Sequence, residues 1–456
     1  MALQDSGMES QSIIKRVLRS SSWIGFGTLA SQGVRLLGNL ILTRLLFPEA
    51  FGLMTLVTVF IVGMQMFSDL GISPWIQKDP RGDEPLFLDT GWTLQVARGV
   101  ILWGLTCVIA WPVANFFNEP LLATILPIAG LNLIVVGLMP TRIATAHRHL
   151  KVGQVTQFEL ASQACGLLIT LVLAWQMQSV WALVWGSLAS SFVLLILMQF
   201  GLPGHKNRLY WDTKAAAELI SFGKWIFLST ICGFILAQGD KIILGRLLTV
   251  EALGIYSIGF FLASFPVMLA AQVTSKVLIP LYREHPPGAS LQNFTKIRKL
   301  RFAVTTGLFA LLILLSLLGP LLVDFLYDAR YETSGVILVL AACAQMPLAV
   351  GLTYDYAALA SGNSRQFFVA TLIKASLMLS LMLLGTYFFG IAGAIGGQAA
   401  AQVLALPASI WIARTHRAWD GLHDIVFLSL MAVFGGAAVW LHRTEILDLI
   451  QNGAGG

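Results

Sequence analysis

Arg35 places a permanent charge near the middle of a long apolar segment, residues 22–46. In a helix it would lie roughly 20 Å from either end of that segment. Thr28, Gln32 and Asn39 recur at helical spacing and form one polar stripe with it. A charge at the centre of a bilayer costs about 3 kcal/mol or more, so it needs a partner or a wet cavity. Arg35, Gln32 and Asn39 are therefore predicted to line a cavity and bind an anionic ligand, with an ion pair between helices as the alternative for Arg35.

Three further bases lie inside apolar segments and are predicted to bind the same ligand: Lys374, Lys241 and Arg98. Lys374 is about as deep as Arg35, and the same alternative of an ion pair between helices applies to it. Arg98 lies close enough to a segment end for its charge to reach the headgroups. Lys241 directly follows Asp240, and successive helical residues point about 100° apart. One of these two residues is expected to face the cavity and the other a neighbouring helix.

Three carboxylates in apolar segments are candidates for binding a coupling proton or Na⁺: Asp240, Glu159 and Asp69. Each has the alternative of pairing with a base on another helix. The sequence contains no G-x-S-x-G, P-loop or H-E-x-x-H motif, and its four cysteines have no metal-ligand spacing. We therefore expect no catalytic residue, no metal site, no cofactor and no enzymatic activity.

The segments that carry these charges are predicted to cross a membrane. The chain is 57% hydrophobic and 11% charged, with a mean hydropathy of +0.77, whereas soluble domains are about 25% charged. Apolar runs long enough to cross a hydrocarbon core of about 30 Å recur along the chain. They predict thirteen spans, at residues 22–46, 51–77, 92–115, 121–143, 154–175, 179–200, 218–247, 252–281, 301–325, 333–358, 366–388, 391–412 and 424–441.

The distribution of basic residues predicts the orientation of these spans. With the N-terminus inside, nineteen Lys and Arg fall in the inner tail and loops, and four fall outside. This bias follows the positive-inside rule and predicts a multi-pass membrane protein with a cytoplasmic N-terminus. The net charge of +6 reflects this topology, and we expect no nucleic-acid partner because the bases form no single face.

A repeated stretch predicts two equivalent halves. ILTRLLFPEAFGLM (41–54) and ILGRLLTVEALGIY (243–256) share eight of fourteen positions without a gap. Six predicted spans separate them, so both copies run in the same direction. Chance matching of leucine-rich helices is the alternative. The pattern predicts an all-α protein of two six-helix lobes in parallel repeat around a central cavity, as in many transporters. The domains are a tail (1–21), an N-lobe (22–200), a linker (201–217), a C-lobe (218–412) and an extra helix with its tail (413–456).

Several motifs resemble bacterial polysaccharide transporters of the oligosaccharide flippase (Wzx-like) type. Residues 221–284 contain the pattern QGDKIILGR (238–246) and the run LGIYS (253–257), and SDLGISPWIQ (68–77) and VWALVWGSL (180–188) fit the same family. The resemblance covers nearly the whole chain. It implies the multidrug/oligosaccharidyl-lipid/polysaccharide exporter superfamily, with twelve core helices in two lobes. Many members of this branch have fourteen spans, one more than predicted here.

The resemblance implies that the protein flips a polyprenyl-pyrophosphate-linked oligosaccharide across the bacterial inner membrane by alternating access. The expected partners are this lipid-linked substrate, membrane lipids and, in addition, polysaccharide polymerase and export machinery. A cation-coupled drug exporter of the same superfamily is one alternative, although deep bases suit cationic drugs poorly. A membrane glycan polymerase is the other, and the short outer loops predicted here disfavour it.

Overall fold

The computed structural model describes residues 2–68 and 71–453. Every segment named here is an α-helix, and short turns connect most of them. The helices are α1 (Ala2–Leu45), α2 (Pro48–Phe67), α3 (Ile72–Lys78), α4 (Pro85–Phe117), α5 (Leu122–Gly137), α6 (Arg142–Arg148), α7 (Val152–Met177), α8 (Val180–Gly201), α9 (Thr213–Leu247), α10 (Val250–Glu284), α11 (Leu291–Leu326), α12 (Thr333–Ala360), α13 (Ser364–Thr415), α14 (Gly421–Leu430), α15 (Gly436–Leu441) and α16 (Arg443–Gly453).

Within the described residues, nine helical segments are long and apolar enough to cross a membrane, or ten if α5 and α6 together form one bent span. In this count α14 and α15 form one segment, Gly421–Leu441, because a π-helical turn at Met431–Gly435 joins them. The predicted spans at 366–388 and 391–412 both lie in α13, which breaks at Phe389 and Gly390. The predicted span at 121–143 corresponds to α5, which ends at Gly137, and to the start of α6, which is bent by 55° from α5. The total of thirteen stays a prediction.

Two further helices lie next to predicted domain boundaries. Helix α9 begins at Thr213, inside the predicted linker 201–217, and the bounds of that linker stay a prediction. At the other end of the chain, α16 has 11 residues and would extend only about 16 Å. This helix is too short to cross a bilayer, so the described residues contain no fourteenth span after α15.

The chain divides into two compact units, at a boundary inside α9. Unit 1 comprises residues 1–50 and 57–230, and unit 2 comprises 51–56 and 231–456. In unit 1, helices pair through glycines that allow close backbone approach. A Cβ on Gly99 of α4 would lie 2.7 Å from the carbonyl oxygen of Leu133 on α5. Gly166 of α7 likewise lies against Ser190 of α8. Small residues serve this purpose in membranes, where packing drives helix association.

Unit 2 is built around α12. Its side chains Ile337, Leu338 and Val339 are fully buried, and α10, α11 and α13 pack around it. Gly259 of α10 and Gly319 of α11 both contact α12 closely. A Cβ built on Gly259 would lie 2.7 Å from the carbonyl oxygen of Ser334, and one built on Gly319 would lie 2.8 Å from a methyl group of Val339. An apolar helix surrounded on several sides explains the high burial of this span.

An extended strap, residues 202–212, connects α8 to α9. Its backbone N–H groups at Arg208, Tyr210 and Asp212 donate to side chains on the first turns of α4: Asp89 Oδ1 (3.0 Å), Thr93 Oγ1 (2.9 Å) and Thr90 Oγ1 (3.3 Å). Buried Arg142 donates to two strap carbonyls, of Leu202 (2.5 Å) and His205 (2.9 Å). The strap is thus fixed to unit 1 along most of its length.

Unit 2 has a similar connection between α13 and α14. Fully buried Arg301 of α11 donates to the carbonyl of Ala418 (2.9 Å), to Thr353 Oγ1 (3.1 Å) and to the Tyr282 hydroxyl (2.8 Å). Asp420 accepts from the His423 N–H and caps α14, just as Asp212 accepts from the N–H groups of Lys214 and Ala215 at the start of α9. Both aspartates follow a tryptophan, at 211 and 419.

Candidate functional site

The polar stripe of α1 lies beside α7 in unit 1. Gly27 and Gly38 of α1 pack directly on Thr156 and Leu167 of α7, and the matching order shows that the two helices run in the same direction. Gln163 of α7 donates through Nε2 to the carbonyl of Ser31, 3.1 Å away. The structure therefore places the predicted polar stripe of α1 beside α7, the helix that carries Glu159.

Arg35 and Glu159 project to the same side of this helix pair. Arg35 lies roughly 60–80° around α1 from the Gly27–Gly38 contact line, and Glu159 lies about 60° around α7 in the opposite sense. Because the two helices face each other and run in the same direction, rotations of opposite sense bring both side chains to the same side of the pair. Both side chains are exposed on unit 1. An exposed base and an exposed acid, one on each helix, thus flank the same surface within apolar segments.

Gln32 behaves differently from Arg35. It is buried, and its Oε1 accepts no hydrogen bond from the described residues. Asn39, one turn beyond Arg35, is half-buried. Of the predicted α1 stripe, Arg35 is thus the member with the most accessible side chain, and the ligand-binding roles of all three stay predictions.

Asp240 of α9 points into unit 2. Its side chain is only 2% exposed, and its Oδ2 accepts a hydrogen bond from the Tyr256 hydroxyl of α10 at 2.9 Å. Its Oδ1 accepts none from the described residues. Burying a carboxylate oxygen without a donor is costly, and this leaves Asp240 Oδ1 as an acceptor that a bound cation could satisfy.

Lys241 points away from Asp240, as the 100° rotation predicts. Its Nζ donates to Gln238 Oε1 on the same helix at 2.8 Å, and the side chain is half-buried. Asp240 is therefore the member of the pair that faces a neighbouring helix. Whether Lys241 faces a cavity stays a prediction.

Lys374 of α13 forms an ion pair between helices, which is the alternative that the sequence left open for this residue. Its Nζ lies 2.7 and 2.6 Å from the two carboxylate oxygens of Asp355 on α12. Ser409, on the second half of α13, donates to Asp355 Oδ1 at 3.1 Å. The physical reason is side-chain direction: a helical lysine points toward the helix N-terminus, so the ammonium reaches the level of Asp355, near the end of α12.

Arg98 of α4 binds the end of α2. Its Nε donates to Ser68 Oγ at 2.9 Å and its guanidinium to the carbonyl of Gln65 at 2.6 Å. Helix ends leave carbonyls unsatisfied, so Arg98 stabilises this terminus, and a role in ligand binding is a prediction without support from these contacts. Asp69 lies outside the described residues.

Sequence reasoning missed three residues of this polar interior: Asp355, Tyr256 and Arg301. Asp355 was detectable as a carboxylate inside a predicted span. Tyr256 belongs to the LGIYS run, but nothing in the sequence pairs its hydroxyl with Asp240. Arg301 begins a predicted span and looks like a boundary residue, although the structure buries it completely.

Residues 41–336 match the family described as polysaccharide biosynthesis protein, over more than half of the chain. The chain belongs to this family. Among polysaccharide biosynthesis proteins, it is 22% identical over 314 residues to the lipopolysaccharide biosynthesis protein WzxC of Escherichia coli K12, covering 69% of this chain and 62% of that protein. It is also 21% identical to the teichuronic acid biosynthesis protein TuaB of Bacillus subtilis 168, covering 60% and 57%. The chain thus spans about three fifths of the length of these curated relatives.

Solved structures establish the fold of this family member. The lipid II flippase MurJ in an inward closed conformation superposes with a TM-score of 0.71 at 14% identity, covering 94% of this chain and 96% of that one. An inward-facing multidrug resistance MATE transporter of the MOP superfamily gives 0.62 at 12% identity, covering 85% and 95%. The predicted all-α, multi-pass membrane fold and the predicted Wzx-like family are confirmed. The two-lobe repeat and the central cavity stay predictions.

Proposed function

We propose that this protein flips a polyprenyl-pyrophosphate-linked oligosaccharide, a repeat unit of exopolysaccharide, O-antigen or capsule, across the bacterial inner membrane. The observation that carries the proposal is membership of the polysaccharide biosynthesis family. The similarity in fold to MurJ, a lipid II flippase by its title, supports it. The N-terminus is cytoplasmic, in accord with the basic-residue bias.

Arg35 suits the anionic part of such a substrate. It is exposed on α1 within an apolar segment, and a guanidinium binds phosphate oxygens with a planar fork of N–H donors. Glu159, on the same side of the α1–α7 pair, then acts as the acid that Arg35 attracts when no substrate is bound. A bound pyrophosphate would replace Glu159 as the anionic group next to Arg35, and Glu159 would then be able to take a proton.

Asp240 is the second candidate for coupling to a proton or Na⁺. Its Oδ1 lacks a donor in the described residues, and a bound cation or proton would satisfy that atom. Alternating access would then move the oligosaccharide through the protein while the isoprenoid tail stays in lipid. No cofactor is required for such a cycle.

The direct test uses proteoliposomes that contain the purified protein and a fluorescent polyprenyl-pyrophosphate oligosaccharide. A membrane-impermeant reductant added outside quenches only the fluorophores in the outer leaflet. With active protein, the quenched fraction should rise from about half toward completeness. A quenched fraction equal to that of protein-free vesicles, under H⁺ or Na⁺ gradients of either sign, would refute the proposal.

A cation-coupled drug exporter is the competing function, because MATE transporters share the fold. It predicts that cells expressing the protein gain resistance to lipophilic cations and show no change in surface polysaccharide. The flippase proposal predicts the reverse: loss of the gene removes the polysaccharide, and drug sensitivity does not change.

A further inference from the structure

The strap presents an outward surface that combines apolar and basic side chains. Leu209, Tyr210 and Trp211 are consecutive and 72%, 42% and 51% exposed. Three exposed bases surround them in the sequence: Lys206 and Arg208 in the strap, and Lys214 in the first turn of α9. The strap contains one acid, Asp212, whose Oδ1 already accepts two backbone hydrogen bonds at the start of α9. The surface is therefore strongly cationic and apolar together.

The backbone of the strap prevents these side chains from turning inward. Alternate N–H groups, at 208, 210 and 212, are held by Asp89, Thr93 and Thr90 of α4. The side chain of Asn207 donates to the Thr141 hydroxyl at 2.7 Å, and its Oδ1 accepts from the Thr141 N–H at 3.0 Å. Rotating Leu209 or Trp211 into unit 1 would break several of these bonds, so their exposure is a fixed property of the fold.

The strap contacts one end of a candidate membrane-spanning helix, and the end of such a helix lies at the level of the lipid headgroups. Its contacts on α4 fall within the first three turns of a 33-residue helix that is long enough to span the bilayer. Tyr and Trp are favoured at this level, with the ring in the apolar boundary and the polar atom toward water. Clusters of Lys and Arg at the same level attract anionic lipids.

We propose that the strap binds the headgroups of anionic phospholipids in the leaflet at this end of unit 1. The three bases bind the lipid phosphates, while Leu209, Tyr210 and Trp211 enter the boundary between headgroups and acyl chains. The segment that joins α8 to α9 would thus be held on one face by unit 1 and on the other by lipid.

The test places a bimane fluorophore at Leu209→Cys in the full chain, after replacement of the four native cysteines. The protein is reconstituted in two sets of vesicles. One set contains brominated phosphatidylglycerol, and the other contains brominated phosphatidylcholine at the same mole fraction. The proposal predicts at least twofold stronger quenching by the brominated phosphatidylglycerol. The triple variant Lys206→Gln/Arg208→Gln/Lys214→Gln should lose this preference. A label at Tyr387→Cys, in the exposed turn of α13 with no base nearby in sequence, is the matched control and should show no preference.

Equal quenching by both lipids at Leu209, or an unchanged preference in the triple variant, would overturn the proposal. Stronger quenching by aqueous iodide than by either lipid would also overturn it, because the strap would then lie in water. If the triple variant folds poorly, salt gives the same test without mutation. Raising NaCl from about 0.1 to 1 M shortens the screening length from about 10 to 3 Å and should abolish the preference in the otherwise unmodified chain. The assay contains no oligosaccharide, so its result is independent of the proposed transport.

Discussion

Lys374 and Asp355 form an ion pair between two helices, so neither charge is left without a partner inside its apolar segment. Their side chains are 13% and 22% exposed, so removing one leaves the other largely desolvated. We expect Lys374→Met to destabilise the protein by about 2 kcal/mol or more and to lower its thermal unfolding temperature in detergent.

The double variant Asp355→Asn/Lys374→Met removes both charges together and should recover most of that stability. It also separates the two roles of Lys374. A stable double variant that still flips substrate would restrict Lys374 to a structural ion pair. A stable double variant without transport would assign it to substrate binding.

Arg35 is expected to act on transport instead of stability, because its side chain is exposed. Arg35→Gln should abolish polysaccharide export at unchanged protein levels in the membrane, measured by surface polysaccharide staining and immunoblotting. Arg443→Gln, at another exposed arginine, is the matched control. Normal export by Arg35→Gln would remove Arg35 from the substrate path.

Asp240 and Tyr256 can be tested as a pair of neighbours with different roles. Tyr256→Phe removes the donor to a buried oxygen and should cost about 1–3 kcal/mol of stability. Asp240→Asn keeps an acceptor for Tyr256, so it should fold but lose the response of flipping to a pH or Na⁺ gradient. An unchanged gradient response in Asp240→Asn would exclude a coupling role, and Glu159 would become the next residue to test.

At the scale of elements, the two halves of α13 form a tight helical hairpin. A Cβ on Gly385 would collide with the carbonyl of Gly393, and one on Gly393 with the carbonyl of Gly385. Gly385→Ala and Gly393→Ala should each cost about 1–3 kcal/mol through overpacking, seen as a lower unfolding temperature. Gly396→Ala, on the same helix with open space around it, should be neutral or slightly stabilising. Equal stability of all three variants would contradict the hairpin packing.

The positions of most helices were predictable from sequence, but the side-chain contacts between helices were not. Continuous apolar runs are sufficient to locate spanning helices, and the 100° rotation between Asp240 and Lys241 was enough to separate their directions. The identities of Tyr256 and Asp355 as partners depend on which helices pack together and in which register. The sequence predicts only a linker where the strap lies, because no local pattern indicates that Asp89, Thr90 and Thr93 bind its backbone.

At the scale of the whole molecule, the parallel repeat makes a sharp prediction about sidedness. Glu49 and Glu251 occupy equivalent places in the two copies and are both exposed. Labelling of Glu49→Cys and Glu251→Cys with an impermeant maleimide should occur from outside the cell for both. Lys206→Cys and Lys299→Cys should react only after the membrane is permeabilised. Labelling of Glu49→Cys and Glu251→Cys from opposite sides would refute the parallel repeat.

The break in α13 has a consequence for how the chain enters the membrane during synthesis. Only Phe389 and Gly390 depart from helical geometry, so no loop separates the two halves of α13. The two halves pack against each other through Gly385, just before that turn, and Gly393, just after it. Because the first half makes these close contacts only with the second half, we expect it to reach its final packing in the membrane only after the second half has been made. Truncation of the chain between residues 390 and 412 should therefore leave the first half more accessible to protease than it is in the full chain.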